Sequence, residues 1–289
     1  QVLFLQGGAS MEFSRIPQNL LSENGTAGFI TTGTWATNAM KEAKYFGNVL
    51  EISSSKDRNF SYLPKTYTIP TGLDYVHITS NNTIYGTQFK EFPDTDAVLV
   101  CDMSSDIFSR NLDFSKFGLI YAGAQKNLGP AGTTLLVIKE DILKNSSKAL
   151  PSIMDYKKHI EKESMFNTPA VFPIYVSYLN LLYIKEHGGV TEMERRNSAK
   201  ADLLYNEIDR NSLFRGTAEV EDRSVMNVTF VLNDESHKSA FDKMCSEVGI
   251  SGINGHRSVG GYRASIYNAM PLESVEVLVD TMKKLEQSL

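Results

Sequence analysis

The chain has 289 residues, of which 42% are hydrophobic, 22% charged and 10% aromatic. This composition excludes a disordered, collagen-like or disulfide-stapled protein, and the length allows about two domains of roughly 100–200 residues each. The net charge of −5 at pH 7 excludes an overall basic surface for nucleic acid, so any anion site must concentrate positive charge locally. The apolar runs are too short for a membrane helix. Cys101 and Cys245 have neither CxxC nor metal-ligand spacing, which is typical of a metal-free protein of the reducing cytoplasm.

Short apolar runs alternate with helical patterns over the first two thirds of the chain, which is typical of βαβ units around a mostly parallel sheet. We predict strands at residues 2–5, 29–32, 49–52, 75–79, 97–101, 119–122 and 134–138. A helix is predicted at residues 11–21, where Pro17 should kink it. A second helix should run from Thr34, its N-cap, to about Tyr45. Residues 24–28 and 145–147 are predicted loops. The sequence therefore indicates an α/β fold.

The pattern changes beyond about residue 173. We predict helices at 173–186, 190–209, 236–248 and 272–285, and strands at 225–232 and 263–267. The first of these strands alternates as a half-buried strand should, with apolar Met226, Val228, Phe230 and Leu232 against polar Asn227 and Thr229. The closing helix carries one apolar face, made of Leu272, Val275, Val279 and Met282. We predict a large domain over residues 1–186 and a smaller α+β domain over residues 187–289.

Two segments lie beyond predicted strands, where ligands bind in open α/β sheets. Gly7-Gly8-Ala9-Ser10 joins a strand to a helix whose first amides could bind an anion, although an ordinary tight turn would contain the same residues. No Gly-Lys-Ser/Thr follows, so this turn is not a P-loop. Asp102 comes directly after the apolar run 97–101. Its carboxylate could hold a protonated ligand nitrogen, bind a metal, or cap the loop at 103–105.

Lys126 stands in a loop of glycines and alanines between the predicted strands 119–122 and 134–138. A lysine that attacks a carbonyl group needs such a setting, because desolvation and nearby cations lower its pKa. A solvated loop lysine is the alternative.

Trp35 is the one tryptophan of the chain and lies at a predicted helix start. It could stack on a planar cofactor or pack in the core.

His256, Arg257 and Arg263 lie within eight positions of one another, among glycines of an acidic chain. The planar guanidinium of arginine binds carboxylate and phosphate through paired hydrogen bonds. A solvated basic loop is the alternative. Arg263 opens an apolar strand, however, and this favours a role in binding an anionic ligand.

Seven segments, in this order, resemble the phosphoserine aminotransferases, which are class V enzymes of fold-type I that depend on pyridoxal 5′-phosphate. The segments are FLQGGASMEF (4–13), TGTWA (32–36), NNTIYGTQ (81–88), CDMSSDIFSR (101–110), IYAGAQKNLGPAG (120–132), FNTP (166–169) and GHRSVGGYRAS (255–265). The resemblance runs from Val2 to the C-terminus, and AGAQKN and GHRSVGG are its most specific segments. It implies a large cofactor-binding domain with a mostly parallel sheet and a smaller C-terminal domain.

The resemblance implies that Lys126 and Asp102 are catalytic. Lys126 would bind the cofactor covalently, and Asp102 would keep the pyridine nitrogen protonated. Trp35 would stack on the ring, and Thr83 would contact the cofactor near its phenolic oxygen. The cofactor phosphate would be bound by Ala9 and Ser10 through their amides, by the side chain of Gln125, and by Asn167 and Thr168 of the other subunit of a homodimer.

The resemblance also implies the reaction. The amino group of glutamate would pass by a ping-pong scheme to 3-phosphohydroxypyruvate, giving O-phospho-L-serine and 2-oxoglutarate in serine biosynthesis. Arg263 would bind the substrate α-carboxylate. His256 and Arg257 would bind the substrate phosphate or the glutamate side-chain carboxylate. The partners would therefore be small molecules and a second copy of the chain, with neither nucleic acid nor membrane.

Members of this family carry a further segment before the strand at residues 2–5. That segment holds part of the small domain and a Ser-His-Arg motif that assists substrate binding. We therefore expect a shortened chain that binds the cofactor and turns over poorly.

Three other functions are compatible with the residues. Another fold-type I enzyme, such as a desulfurase-like or alanine–glyoxylate-type aminotransferase, would have little use for His256 and Arg257. A catalytically inactive binding or assembly protein would carry no lysine-bound cofactor. A nucleotide-binding α/β domain is disfavoured, because the Walker and GxGxxG patterns are missing.

Overall fold

The computed structural model describes residues 1–143 and 149–289, so the loop predicted at 145–147 lies outside the described residues. The strands are β1 Val2–Leu5, β2 Thr26–Thr31, β3 Asn48–Ser54, β4 Tyr75–Thr79, β5 Asn81–Asn82, β6 Thr87–Gln88, β7 Val98–Asp102, β8 Leu119–Gly123, β9 Thr134–Ile138, β10 Phe214–Gly216, β11 Asn227–Leu232 and β12 Tyr262–Ser265. The α-helices are α1 Gly8–Leu20, α2 Thr34–Ala43, α3 Tyr156–Glu161, α4 Val171–Glu186, α5 Gly189–Arg210, α6 Lys238–Glu247 and α7 Leu272–Gln287. Several single-turn 3-10 helices lie between these elements.

Seven strands form the main sheet, in the order β1-β9-β8-β7-β4-β2-β3. The pairs between β3, β2, β4, β7 and β8 are all parallel, whereas β9 is antiparallel to both of its neighbours. The predicted mostly parallel α/β sheet is therefore confirmed. Six of the seven strands point the same way, so their carboxyl ends meet at one edge of the sheet, and the loops that follow them are brought together there.

Apolar clusters lie on both faces of the main sheet, which explains why its inner strands β4, β7, β8 and β9 are mostly apolar, whereas the edge strand β3 has no buried residue. On one face, Val100 and Tyr121 pack with Phe13 of α1 and Ala39 of α2. On the other, Cys101 belongs to a separate cluster that includes residues of β2, β4, β7, β8 and β9. Neighbouring residues of β7 thus enter opposite cores, because side chains alternate across a strand.

A second sheet, β10-β11-β12, is antiparallel and packs against α5, α6 and α7. The four apolar residues of the predicted strand 225–232 are buried, three of them in β11 and Met226 directly before it. The prediction that this strand is only half-buried is wrong, because Asn227 and Thr229 are buried as well. Asn227 accepts a hydrogen bond from the Asn81 side chain at 2.8 Å, and Thr229 donates to the carbonyl of Tyr85 at 3.0 Å. The second face of β11 is thus covered by the loop that follows β4.

Some predicted boundaries and roles differ from the structure. Thr34 is the first residue of α2 rather than its N-cap; the cap position is held by Gly33, and the Thr34 hydroxyl lies 3.1 Å from the hydroxyl of Tyr85. Helix α1 begins at Gly8, directly after the strand turn, and contains Pro17 in its interior. In α7, Leu272 is 38% exposed and does not belong to the buried face. The short elements α3, β5, β6 and β10 were not predicted, because so few residues carry no detectable period.

In the part of the chain that the structure describes, no helix is both long enough and apolar enough to cross a membrane.

Candidate active site

The site is built at the carboxyl edge of the main sheet, where β7 and β8 end side by side. Asp102 is the last residue of β7 and pairs in register with Tyr121 of β8. Lys126 follows three residues after the end of β8. Parallel neighbours therefore bring a carboxylate and an amine, 24 positions apart in sequence, to the same place.

Asp102 is only 6% exposed, and one of its two oxygens is fully engaged. Its Oδ1 accepts the backbone N–H of Ser104 at 2.9 Å and the hydroxyl of Ser104 at 2.6 Å. Asp102 thus caps its loop, as one of the sequence interpretations expected. Its Oδ2 has no hydrogen-bond partner among the described residues and is free for a ligand. Burial raises the pKa of Asp102, while Lys126 and the two Ser104 donors oppose that rise.

Lys126 presents a free amine to the same space. Its Nζ makes neither a hydrogen bond nor an ion pair within the described residues, and it lies 5.9 Å from the ring centroid of Trp35. Burial lowers the pKa of Lys126, and the positive charge of Arg263 lowers it further, whereas Asp102 acts in the opposite direction. A lysine in this setting holds a larger fraction of neutral, nucleophilic amine at neutral pH than an exposed lysine does.

Thr83 joins three distant segments at the site. Its hydroxyl accepts the indole N–H of Trp35 at 3.2 Å, and its carbonyl accepts Nη1 of Arg263 at 3.2 Å. The Nε of Arg263 is buried and has no partner among the described residues. Arg263 lies on β12, so the second sheet delivers a guanidinium to the edge of the first. Part of that guanidinium remains available to an anion.

The lysine loop is held by residues that the sequence analysis did not single out. Asn127 accepts the backbone N–H of Asn268 at 3.0 Å and donates to the carbonyl of Ile107 at 3.2 Å. Asn180 of α4 donates to the carbonyls of Asn127 and Leu128 at 3.0 and 2.9 Å. These contacts leave the backbone of the loop little freedom. The only sequence signal was the position of Asn127 in the AGAQKN segment, and no motif marked Asn180.

The turn between β1 and α1 has the geometry of an anion-binding helix start. Gly7 and Gly8 have φ values of 116° and 66°, which favour glycine. Ala9 and Ser10 lie in the first turn of α1, and within the described chain no side chain caps that turn. Amides of a first helical turn carry no intrahelical partner, so they can point at an anion. Gln125 is exposed and folds back over Gly123, where an added Cβ would lie 2.8 Å from its Oε1.

Asn167, Thr168, His256 and Arg257 make no hydrogen bond or ion pair with Asp102, Lys126 or Trp35 among the described residues. The segment before α4 runs beside β1: the Phe4 amide donates to the Ser164 hydroxyl at 3.0 Å, and the Gln6 side chain donates to the carbonyl of Thr168 at 2.5 Å. Asn167 lies in this same segment and is half-buried, whereas Thr168 is exposed.

His256 and Arg257 lie on an irregular loop before β12. The Nδ1 of His256 is 2.7 Å from the Ser258 hydroxyl. The guanidinium of Arg257 is exposed and has no hydrogen bond or ion pair within residues 1–143 and 149–289. Both side chains remain available to a ligand.

The free groups together define what could bind. Asp102 is a buried residue with one carboxylate oxygen that has no partner among the described residues, and this oxygen suits a protonated ring nitrogen. The amine of Lys126, which has no partner among the described residues, suits a carbonyl carbon, and the first turn of α1 suits a phosphate. Among the described residues, no group of three or more His, Cys, Asp and Glu side chains could hold a metal ion. The residues therefore fit a planar, phosphorylated aldehyde with a basic ring nitrogen, which is the chemistry of pyridoxal phosphate.

Comparison with known proteins agrees with this fit. The family described as aminotransferase class-V matches residues 1–278. A protein of Flavobacterium psychrophilum named phosphoserine aminotransferase is 61% identical over 289 residues, which cover the whole chain and 81% of that relative. A solved phosphoserine aminotransferase of Bacillus circulans subsp. alkalophilus is 46% identical with a TM-score of 0.97, covering 100% of this chain and 81% of its own. A solved, pyridoxal-phosphate-bound phosphoserine aminotransferase of Trichomonas vaginalis is 35% identical with a TM-score of 0.92, covering 98% and 82%.

The chain therefore belongs to the class V aminotransferases, and it is a transferase that depends on pyridoxal phosphate. Within that class it belongs to the phosphoserine aminotransferase family. The predicted fold class, cofactor and enzyme class are confirmed.

Proposed function

We propose that this chain transfers the amino group of glutamate to 3-phosphohydroxypyruvate, forming O-phospho-L-serine and 2-oxoglutarate in serine biosynthesis. The observation that carries the proposal is the Lys126 amine: it has no partner among the described residues, lies 5.9 Å from the ring centroid of Trp35 and interacts electrostatically with the buried Asp102. The names of the similar proteins support the choice of substrates.

The cofactor would be held by the residues around that amine. Pyridoxal phosphate supplies an aldehyde that takes up an amine and a ring that accepts the electron pair left at the substrate Cα. Asp102 would hold a proton at the ring nitrogen through its free Oδ2. Trp35 would pack on the ring face, and Thr83, already bonded to the Trp35 indole, would bind beside it. The phosphate would lie on the first turn of α1, bound by Ala9 and Ser10 amides and by Gln125.

Lys126 would move the proton of the reaction. As a neutral amine it would take the proton from the substrate Cα and return it to the cofactor carbon on the other side of the transferred nitrogen, because burial and Arg263 both disfavour its charged form. Asp102 has the opposite effect on the Lys126 pKa. These opposing effects on the pKa leave the Lys126 amine basic enough to accept the Cα proton. They also leave enough of it uncharged to do so.

The substrates would be bound through their anionic groups. The buried, unpartnered Nε of Arg263 suits the α-carboxylate that glutamate and phosphoserine share. His256 and Arg257 would bind the group that differs, which is phosphate in one substrate and the side-chain carboxylate in the other. Two different anions on one basic pair would explain how one site serves both half-reactions.

We also propose that the enzyme is a homodimer. Helix α4 is apolar around its circumference, and such a helix is normally buried. It nevertheless exposes several large side chains, Val171, Phe172, Tyr175, Tyr178, Leu179 and Tyr183. Asn167 and Thr168 immediately precede this face, which suits their expected contact with the cofactor phosphate of the partner.

The division into domains at residues 186 and 187 and a cytoplasmic location belong to the same proposal. Cys101 and Cys245 are buried free thiols, as expected in a reducing compartment.

Borohydride reduction of the cofactor-loaded protein followed by peptide mass spectrometry tests the site. The cofactor mass should be found on Lys126 and should be lost in Lys126→Ala, together with the visible absorbance and the transamination. Lys41→Ala removes an exposed lysine of α2 and should change none of these. A label on another lysine would refute the assignment.

The substrate class is tested with the same protein. Phosphohydroxypyruvate should be aminated much faster than pyruvate or glyoxylate. A preference for either unphosphorylated acid would favour another class V aminotransferase instead.

Light scattering of the wild type against Tyr178→Glu tests the homodimer, because a charge on the apolar face should increase the fraction of monomer. A wild-type monomer would overturn the dimer.

A further inference from the structure

Ser104 makes more contacts at the site than a loop cap requires. A capping aspartate needs only the backbone N–H two residues on, and that bond is present between Ser104 N and Asp102 Oδ1 at 2.9 Å. The Ser104 hydroxyl adds a second bond to the same oxygen at 2.6 Å. The same hydroxyl accepts the backbone N–H of Gly123 at 3.0 Å. Ser104 thus connects the carboxylate at the end of β7 to the end of β8.

Gly123 is where the lysine loop begins. Lys126 follows three residues later, and Asn127 anchors the far side of the loop. The Ser104 hydroxyl therefore bonds directly to Asp102 and to the strand end from which the loop of Lys126 departs. Ser104 is 4% exposed, so water cannot easily replace its bonds.

The two oxygens of Asp102 are made unequal by this arrangement. Oδ1 is saturated by two donors from Ser104, whereas Oδ2 has no partner among the described residues. A carboxylate held by one oxygen cannot rotate freely, so the other oxygen keeps a constant direction. Two donors on Oδ1 also favour the charged form against burial.

We propose that Ser104 is a positioning residue of this enzyme: its hydroxyl holds Asp102 with one oxygen directed at the ring nitrogen of the cofactor, and it fixes that carboxylate relative to the lysine loop. This inference rests on the proposed function of Asp102 and goes beyond it, since no contact of Ser104 with substrate or cofactor is involved.

The charged groups around Asp102 determine the direction of the effect. Lys126 favours its charged form, and Asp106, in the loop after β7, disfavours it. The Ser104 bonds act with Lys126. Without the Ser104 hydroxyl, the charged form of Asp102 is less favoured, so the ring nitrogen of a bound cofactor would carry less positive charge. With less positive charge on the ring, the Lys126 nitrogen would keep its proton up to a higher pH.

The test compares Ser104→Ala with Ser105→Ala, using cofactor-loaded protein. Ser105 is equally buried, but its hydroxyl bonds to Asn81 and not to Asp102. In Ser104→Ala, the midpoint of the visible absorbance against pH should rise by about one unit. The dissociation constant of the cofactor should rise about tenfold, and kcat should fall about tenfold with KM little changed, as the loss of one hydrogen bond to a charged group predicts. Ser105→Ala should keep the wild-type midpoint.

Ser104→Thr keeps the hydroxyl and should therefore keep the wild-type midpoint. A purely structural role of Ser104 would not make the midpoint depend on the hydroxyl. This variant also decides the matter if Ser104→Ala does not fold. A wild-type midpoint in Ser104→Ala, or a midpoint displaced equally in Ser105→Ala or in Ser104→Thr, would overturn the proposal. If the wild-type protein shows no cofactor absorbance at all, the function itself fails, and that outcome is distinct from a normal wild type with an insensitive Ser104.

Discussion

Replacing Asp102 by asparagine removes the charge of the side chain and keeps its shape, so it tests what the charge contributes. The substitution keeps the volume and an oxygen that can accept both Ser104 donors. It removes the negative charge and places an NH₂ group where Oδ2 was free. Asparagine therefore cannot hold a protonated ring nitrogen. A buried hydrogen bond to a charged group contributes about 1.5–3 kcal/mol, which corresponds to roughly 10–150-fold in rate.

Although Asp102→Asn should slow the reaction, it should not lower the stability of the cofactor-free protein. Because burial raises the pKa of Asp102, its ionised form is disfavoured in the folded state. The folded state then binds the proton more strongly than the unfolded chain, so stability falls as pH rises through the interval between the two pKa values. Asp102→Asn removes this cost. We expect an equal or higher unfolding temperature at pH 7 and the loss of that part of the pH dependence.

The assay has two measurements on the same preparations. Single-turnover transamination with glutamate, followed by cofactor absorbance, should slow by at least tenfold, and Tm by calorimetry of the cofactor-free proteins should not fall. An activity within about threefold of wild type would refute the catalytic reasoning. A Tm lowered by many degrees would show instead that the Asp102 charge stabilises the fold.

Three further substitutions test other parts of the structure. Burial lowers the pKa of His77 to about 3, so wild-type stability should be lost as pH falls from about 6.5 towards 3, and His77→Gln should flatten that loss in denaturant unfolding at pH 7 and 4. Lys200 is buried and donates to three carbonyls, so Lys200→Met should cost about 2–4 kcal/mol in urea unfolding, and a neutral result would contradict the reasoning. Gly7→Ala forces a Cβ to within 2.5 Å of Met11 Cβ; cofactor affinity by fluorescence should fall, whereas Gly72→Ala, with a positive φ but open space, should leave it unchanged.

Much of the fold was predictable because each signal is local. The inner strands β4, β7, β8 and β9 are mostly apolar runs that are largely buried on both faces, and such runs are visible without any knowledge of their neighbours. Lys126 and Asp102 could also be selected from the sequence, since one stands in a small-residue loop between two strands and the other directly follows a strand. The structure places both at the carboxyl edge of the sheet, as that pattern predicts.

Other features depend on contacts between segments that are far apart in the chain. The alternation of residues predicts Asn227 on the exposed face of a half-buried strand, but the segment after β4 covers it. The sequence predicts Thr34 as a helix cap, but its hydroxyl lies 3.1 Å from the hydroxyl of Tyr85 instead. Nothing in the spacing of Thr83 shows that it joins Trp35 to Arg263, 180 positions further on.

The amino-acid sequence by itself determined which segments become strands and helices and which residue types carry the chemistry, because hydrophobic periodicity and the reactivity of a side chain are properties of short stretches. The tertiary structure alone decided which oxygen of Asp102 is free, how the lysine loop is anchored, and which polar side chains are buried. Those properties depend on hydrogen bonds and burial between distant segments, and these exist only once the two sheets have packed together.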